Sequence, residues 1–404
     1  MSSEKIHFPL VDAVCDALTD IFERGYYADK VIERVLKSNP KMGSKDRAFV
    51  AETTYDVVRW WRLLNHIAET DYKLDRPSLL RLLSAYFFIF KKREIIWKEN
   101  HGMSLKRVRE LFEEASSHRA LRESIPDWLD ALGAEELGEK WDHEIKALNK
   151  EADVAIRVNT LKTDKEELKF QLAENGIETL EDATHPDALI LKKRSNIFRN
   201  GYFLNGHFEV QDKGSQEIAM YLQVEPGMRV IDACAGAGGK TLHLAALMQN
   251  KGRIISMDVE ARKLDELRKR ASRAGAHIIE TRVIESSKTI KRLESSADRV
   301  LLDVPCSGLG TLRRNPDAKW KLSPEFIVKI KQTQQEIIRS YSRMVKPGGL
   351  MVYATCSVLP SEDENQVSAF LSFNPNFSLQ HQQYVMPSQS NSDGFYMALL
   401  RRDA

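Results

Sequence analysis

The sequence predicts an α/β fold: a doubly wound domain of seven strands, preceded by a small α/β domain and by an N-terminal helical domain. Three observations predict it. From about Ser215 onward, short strand-like runs alternate with helical stretches, the mark of a parallel sheet covered on both faces. A turn carrying glycines 236, 238 and 239 joins the first of these strands to the first helix, where a doubly wound fold places its ligand loop. Before residue 145 the apolar residues recur at spacings of three and four, the period of packed helices.

A chain of 404 residues suits two or three domains, and 42% hydrophobic with 29% charged residues is a globular composition. The longest apolar stretch, Leu82–Phe90, is far short of the roughly 20 residues of a membrane span. Asp12, Asp16 and Asp20 interrupt the apolar positions of the N-terminus, so a secretory leader is not expected. A cytoplasmic monomer without a membrane partner is the expectation. The cysteines Cys15, Cys234, Cys306 and Cys356 are spaced for neither a zinc clip nor a redox pair, and HExxH is lacking, so no metal is expected.

The elements follow in order. Residues 1–145 form the expected helical domain, with Val11, Val14, Leu18 and Phe22, then Val31 and Val35, then Val57, Trp61, Leu64 and Ile67 on apolar faces. Residues 150–214 form the small α/β domain. VAIRVN reads as a strand, Asp164–Asn175 as a helix and Asn175-Gly176 as a turn, and ALILKK, YFLNG and HFEVQD as strand-like pieces. Residues 215–404 form the doubly wound domain. Its strands read at Arg229–Ala233, Arg253–Asp258, Ile278–Ile284, Arg299–Asp303 and Leu350–Thr355. Helices read at Lys240–Gln249, Glu260–Ala274 and Pro324–Val345, the last stopped by Lys346-Pro347-Gly348-Gly349. Phe377–Leu379 and Gly394–Leu400 read as an edge hairpin, and no further domain is expected after Leu400.

The glycine turn reads Asp232-Ala-Cys-Ala-Gly-Ala-Gly-Gly-Lys-Thr241. A nicotinamide fingerprint would need glycine where Thr241 stands, and a phosphate loop would need it at Cys234. A loop of small residues remains, suited to a nucleoside ligand without phosphate. The second strand ends at Asp258, placed for the two hydroxyls of a ribose; its structural alternative is a turn residue or helix cap.

The fourth and fifth strands end in Asp303-Val-Pro-Cys306-Ser and Thr355-Cys356-Ser. With strand order 3-2-1-4-5 the two are neighbours, which puts both thiols on the edge that carries the ligand loop. Free thiols are nucleophilic at moderate pH. Two stretches carry cations among aromatics, as phosphate and base contacts do: LKKRSNIFRNGYF at 191–203, and TLRRNPDAKWK at 311–321 with Arg313 and Arg314. Their structural alternative is a solvated surface.

DACAGAGGKT, LLDVPCSGLGTLRRNPDAKW and VYATCSVLPSEDENQV, with RVNTLK at Arg157 and FEVQDKGSQ at Phe208, resemble the Sun/Nop family of RNA 5-methylcytosine methyltransferases. The resemblance runs from about residue 120 to the end. It implies a Rossmann-like class I methyltransferase domain, S-adenosylmethionine as cofactor and RNA as partner. It implies Cys356 as the nucleophile that adds to carbon 6 of a cytosine, with Cys306 assisting release; for the proton wanted at ring N3, Asp303 is the nearest candidate by position. The cofactor contacts map to Cys234, Ala235, Gly236, Ala237, Gly238, Gly239, Lys240, Asp258 and Asp303, and the adenine-side acid to Glu285. The family loop reads Ala-Pro-Gly-Gly where this chain has Gly236-Ala237, which suggests a more flexible loop. SKDRAFVAETTYDVVRWW resembles a NusB-like RNA-binding domain and points to 16S ribosomal RNA as the substrate. Transfer RNA is the alternative. Other classes are an RNA-binding ribosome assembly factor with a vestigial methyltransferase domain, and a methyltransferase for small molecules or proteins. The intact thiols and the N-terminal domains argue against both.

Overall fold

The computed structural model describes residues 6–100 and 102–403. The chain divides into two compact units, one running to Lys150 and including Leu312–Pro324, the other Glu151–Thr311 and Glu325 onward. No helix among the described residues is long and apolar enough to cross a membrane.

The first unit is helical, as the three- and four-residue spacing predicts. Helices Phe8–Phe22, Ala28–Ser38, Ser44–Arg59, Trp61–Ala68 and Arg76–Phe90 close on Val14, Leu18, Val57, Trp61, Leu64 and Ile67. Asp75 starts the last of these by accepting the Ser78 N–H at 3.0 Å, with a proline in the first turn.

Residues 312–324 are stitched into this unit, which corrects the reading of 311–321 as an open basic loop. Arg59 donates to the carbonyls of Leu312 at 3.1 Å and Arg313 at 2.9 Å. Trp320 donates its ring N–H to Val58 at 2.7 Å, and Lys319 donates to Asn149 Oδ1 at 3.1 Å. Lys321 donates to the carbonyls of Gly25 and Tyr26, just past the C-terminus of the first helix, where the helix dipole favours a cation. Arg313 and Lys319 are buried. Fixed carbonyl and amide acceptors take these groups out of water, so their charge run does not form a solvated face.

The second unit holds two sheets. The smaller is antiparallel, with β1 (Ala155–Val158), β2 (Thr179–Glu181), β3 (Ala188–Leu191) and β4 (Phe208–Val210) in the order β2-β3-β1-β4. The helix Lys165–Glu174 packs on it, capped by Asp164, which accepts from Glu167 N at 2.8 Å. YFLNG is not a strand. Gly201–Leu204 is a single helical turn, capped by Asn200, which accepts the Tyr202 N–H at 2.8 Å. Lys193, Phe198 and Arg199 of the neighbouring segment are exposed.

The larger sheet contains β5 (Arg229–Asp232), β6 (Arg253–Asp258), β7 (Ile279–Val283), β8 (Ala297–Asp303), β9 (Val345–Thr355), β10 (Phe377–Val385) and β11 (Phe395–Arg402). Their order is β10-β11-β9-β8-β5-β6-β7. β5 to β9 pair in parallel and β11 pairs antiparallel with both β9 and β10, so the 3-2-1-4-5 order and the edge hairpin are both present. Successive side chains alternate between two apolar cores. Val230, Ile254, Leu301 and Val352 line one face, and Ile231, Ile255, Leu302 and Tyr353 the other.

The end of the long helix before β9 differs from expectation. The helix from Pro324 ends at Tyr341, and β9 begins at Val345, so Lys346–Gly349 forms a bulge inside the strand rather than a helix stop. Glycine is required at 349, because a Cβ there would lie 2.9 Å from the Lys346 carbonyl oxygen and 3.0 Å from that of Asp298.

Candidate active site

In this strand order the connections diverge between β5 and β8, and the loops after those strands flank the crevice where open α/β sheets bind ligands. Every sequence-derived site residue except Glu285 lies on the loops after β5, β6, β8 and β9 or at their ends. Glu285 stands exposed, two residues past β7.

The β5 loop is pinned. Ala235 N–H donates to Met257 O and Gly238 N–H to Ala235 O, each at 2.9 Å. Gly238 has φ +87° and no room for a side chain, since a Cβ would meet Leu267 at 2.5 Å. A Cβ at Gly239 would meet nothing nearer than Arg270, at 4.0 Å. Packing therefore does not require glycine at 239, whereas close approach of a ligand to the backbone would. Arg270 donates to the Ala237 carbonyl at 2.8 Å and is itself held by Glu209 at 2.9 Å. Arg157, buried on β1, donates to the Gly239 carbonyl at 3.3 Å. Arg157 directly, and Glu209 through Arg270 of the helix Ala261–Ala274, thus brace from the small sheet the loop in which Gly236-Ala237 replaces Ala-Pro.

Asp258 serves the loop as well as facing the crevice. Its Oδ2 accepts from Gly236 N and its Oδ1 from Glu260 N, each at 2.9 Å. Each oxygen keeps a second lone pair, so the carboxylate can still receive a ribose diol. The turn-residue reading of Asp258 is met, and the remaining lone pairs are compatible with the ligand expectation. At the end of β5, Asp232 accepts from Thr241 Oγ1 at 2.6 Å, and burial pushes its acid up to about 7. Burial also pushes the Cys234 thiol well above its ordinary range. Small residues, an open glycine and acceptor-rich strand ends together fit an adenosyl ligand without phosphate.

Across the crevice, Lys240 Nζ pairs with Asp303 Oδ2 at 2.6 Å. Burial opposes the ammonium, yet the Asp303 carboxylate outweighs it and holds Lys240 above the ordinary lysine value. Lys240 also lies 5.8 Å from the centre of the Phe395 ring.

The two thiols meet. Asp303 is level with Ala354 in the β8–β9 register, and Gly310 N–H donates to the Cys356 carbonyl at 2.9 Å. Cys306 Sγ and Cys356 Sγ are 3.2 Å apart, both partly exposed. The hydrogen bond with Cys356 and burial hold Cys306 as a thiol, well above the ordinary cysteine range. Sequence reasoning missed the buried Glu362, which receives the hydroxyls of Ser307 and Ser357. The repeated Cys-Ser dipeptide was the available signal.

Residues 219–401 match the family model of the 16S rRNA methyltransferase RsmB/F, and residues 125–198 that of the RsmF/B-like ferredoxin-like domain. The chain is 30% identical to the probable ribosomal RNA small subunit methyltransferase B of Synechocystis, over 95% of this chain and 97% of that protein. It is 27% identical to the Bacillus subtilis protein of the same description, over 97% and 98%. The crystal structure of PH0851 superposes with a TM-score of 0.81 at 25% identity, covering 99% of this chain and 100% of that one.

Proposed function

The chain belongs to the RsmB/F family of 16S rRNA methyltransferases, which depend on S-adenosylmethionine, and from that premise we propose that it methylates carbon 5 of a cytosine through a covalent adduct of Cys356. The observation that carries this reading is the pair of thiols 3.2 Å apart at adjacent strand ends, facing the same crevice as the Lys240–Asp303 ion pair.

Carbon 5 of cytosine is a poor nucleophile. Addition of the Cys356 thiolate to carbon 6 forms an S–C bond and pushes the ring electrons toward N3, leaving carbons 4 and 5 as an enamine. A proton on N3 neutralises the developing charge. The Asp303 carboxylate takes the proton that Cys356 gives up and shares it with N3, and the Lys240 ammonium fixes the carboxylate in place. Residues 234–240, Asp258 and Glu285 would hold S-adenosylmethionine, which would supply the electrophilic methyl group when bound. Carbon 5 then carries a surplus proton. Once its sulfur is bonded to carbon 6, Cys356 has no charge with which to hold the Cys306 proton. With that charge gone one cause of its raised pKa is lifted, and Cys306 gives its proton to solvent water and, as thiolate, takes the carbon 5 proton. The C–H electron pair restores the 5,6 double bond and expels Cys356.

The target cytosine must leave any helix to meet the thiols. The reading takes ribosomal RNA of the small subunit as substrate, the helical unit as RNA binder and a cytoplasmic monomer as the acting form; the family's 16S rRNA description supports the first of these. The test uses both cysteines. Cys356→Ala abolishes methylation and any denaturant-stable enzyme–RNA adduct. Cys306→Ala completes methyl transfer but accumulates a nuclease-sensitive slow band on a denaturing gel. An adduct seen with Cys356→Ala and never with Cys306→Ala reverses the roles, and full activity in both variants removes covalent catalysis.

A further inference from the structure

Both cysteine loops hang from one buried carboxylate that the reaction does not touch. Glu362 Oε1 accepts the Ser307 hydroxyl at 2.5 Å and the Ser357 hydroxyl at 2.7 Å. Its Oε2 accepts the Ser307 N–H at 2.8 Å and the Gln334 amide at 3.0 Å. The two hydroxyls lie 3.3 Å apart, and each serine directly follows its cysteine. The carboxylate is itself anchored. Tyr353 Oη donates to the Glu362 carbonyl at 2.8 Å, and Gln334 also donates to Pro305 O at 3.1 Å. Each hydroxyl in turn accepts a backbone N–H, from Leu309 at 3.3 Å and from Leu359 at 3.1 Å, which fixes the turn beyond each cysteine.

We propose that Glu362 is a positioning residue that sets the separation and facing of the Cys306 and Cys356 thiols by tethering both Cys-Ser turns to one point. This rests on the covalent reading only for its consequence in catalysis. The geometry supports a tether rather than simple packing. β8 and β9 are already paired as far as Asp303 and Ala354, so the ladder does not specify where the chain goes beyond those residues. Beyond the ladder the two loops are joined by the Gly310 N–H to the Cys356 carbonyl at 2.9 Å and, through the residue after each cysteine, by the serine–carboxylate–serine bridge. Charge-assisted hydrogen bonds are shorter and stronger than neutral ones, and four donors on two oxygens leave the carboxylate little freedom. Thiols handing over a proton in sequence need hydrogen-bond separation, and misplacement by about 1 Å costs on the order of 10²-fold in rate.

The experiment compares Glu362→Ala with Glu362→Gln. The glutamine keeps the shape. Its oxygen can face Ser307 N and Gln334 while its amide donates to the two hydroxyls, which can accept. Thiol proximity is read without RNA, as the rate at which phenylarsine oxide bridges Cys306 and Cys356 with loss of water. The expected result is near wild-type bridging and turnover for Glu362→Gln. For Glu362→Ala, bridging slows at least about tenfold and kcat falls by about 10²-fold, with affinities for RNA and cofactor within about twofold. If Glu362→Ala does not fold, Ser307→Ala/Ser357→Ala removes the same bridge and is expected to show the same pattern. Unchanged bridging in a folded Ala variant overturns the tether, as does a Gln variant that bridges normally but turns over as poorly as Ala. Because the arsenical needs neither RNA nor methyl transfer, a failure of the cytosine reading leaves this test intact.

Discussion

Replacing Lys240 with methionine tests whether the Lys240–Asp303 pair works as a unit. The side chains are 14% and 26% exposed, so the pair is neither a surface bridge nor a fully buried one. Breaking a fully buried pair costs about 3–5 kcal/mol, because a charge is left without a partner. Water reaching the open side of Asp303 offsets part of that, which brings the loss toward the roughly 1.5–3 kcal/mol of a single charge-assisted hydrogen bond. At about 1.4 kcal/mol per tenfold change, the single-turnover rate should fall by roughly 10- to 150-fold. The assay is a double-mutant cycle of Lys240→Met and Asp303→Asn with saturating RNA. If lysine acts through the carboxylate, the second substitution adds little to the first. Losses that multiply would refute the reasoning and leave Lys240 with a separate role in cofactor binding. The pH sense is fixed by the same ion pair. The lysine value is raised, so the pair is complete below the ordinary lysine value and is lost as pH rises past the raised one.

Asp258→Ala should weaken S-adenosylmethionine binding by tens of fold, as expected when charge-assisted hydrogen bonds are removed, and should also lower the melting temperature without cofactor, because Gly236 N–H and Glu260 N–H lose their acceptor. Calorimetry showing unchanged affinity would remove Asp258 from the cofactor site. Asp232 predicts a pH effect of definite sign. Its acid is raised to about 7, so the folded state binds the extra proton and stability falls as pH climbs from the ordinary aspartate range toward 7. The slope contributed is at most about 1.4 kcal/mol per pH unit, and Asp232→Asn should flatten it in urea melts; equal slopes in both proteins would place the buried charge elsewhere. With Arg313 buried in the helical unit, the exposed Lys193 and Arg199 are the better candidates for holding phosphates. Replacing both with alanine should reduce the salt slope of single-stranded RNA binding by about 0.7 for every phosphate no longer neutralised, and an unmoved slope would make this segment a solvated surface.

The sequence alone determined the period of most elements, the strand order and which residues stand at the strand ends. Alternating strands and helices leave few topologies open, and a doubly wound sheet necessarily gathers the residues after β5, β6, β8 and β9 at one edge. That is why the placement of Asp258, Asp303, Cys306 and Cys356 on one edge of the sheet was legible from position. What only the tertiary structure decided were matters of partnership. The run 311–321 looks like a basic loop by composition, but Arg59, Val58 and Asn149 lie more than 150 positions away in the chain and absorb it. YFLNG has strand-like residues, but Asn200 offers its first N–H group a cap, and the backbone turns helical. Asp258 turned out to hold the loop it faces, and Glu362 became visible only when two Cys-Ser turns 50 residues apart converged on it. Periodicity reports which face of an element is buried. It carries no information about which distant donor meets which acceptor, and that pairing decides whether a charge is solvated, buried or put to use.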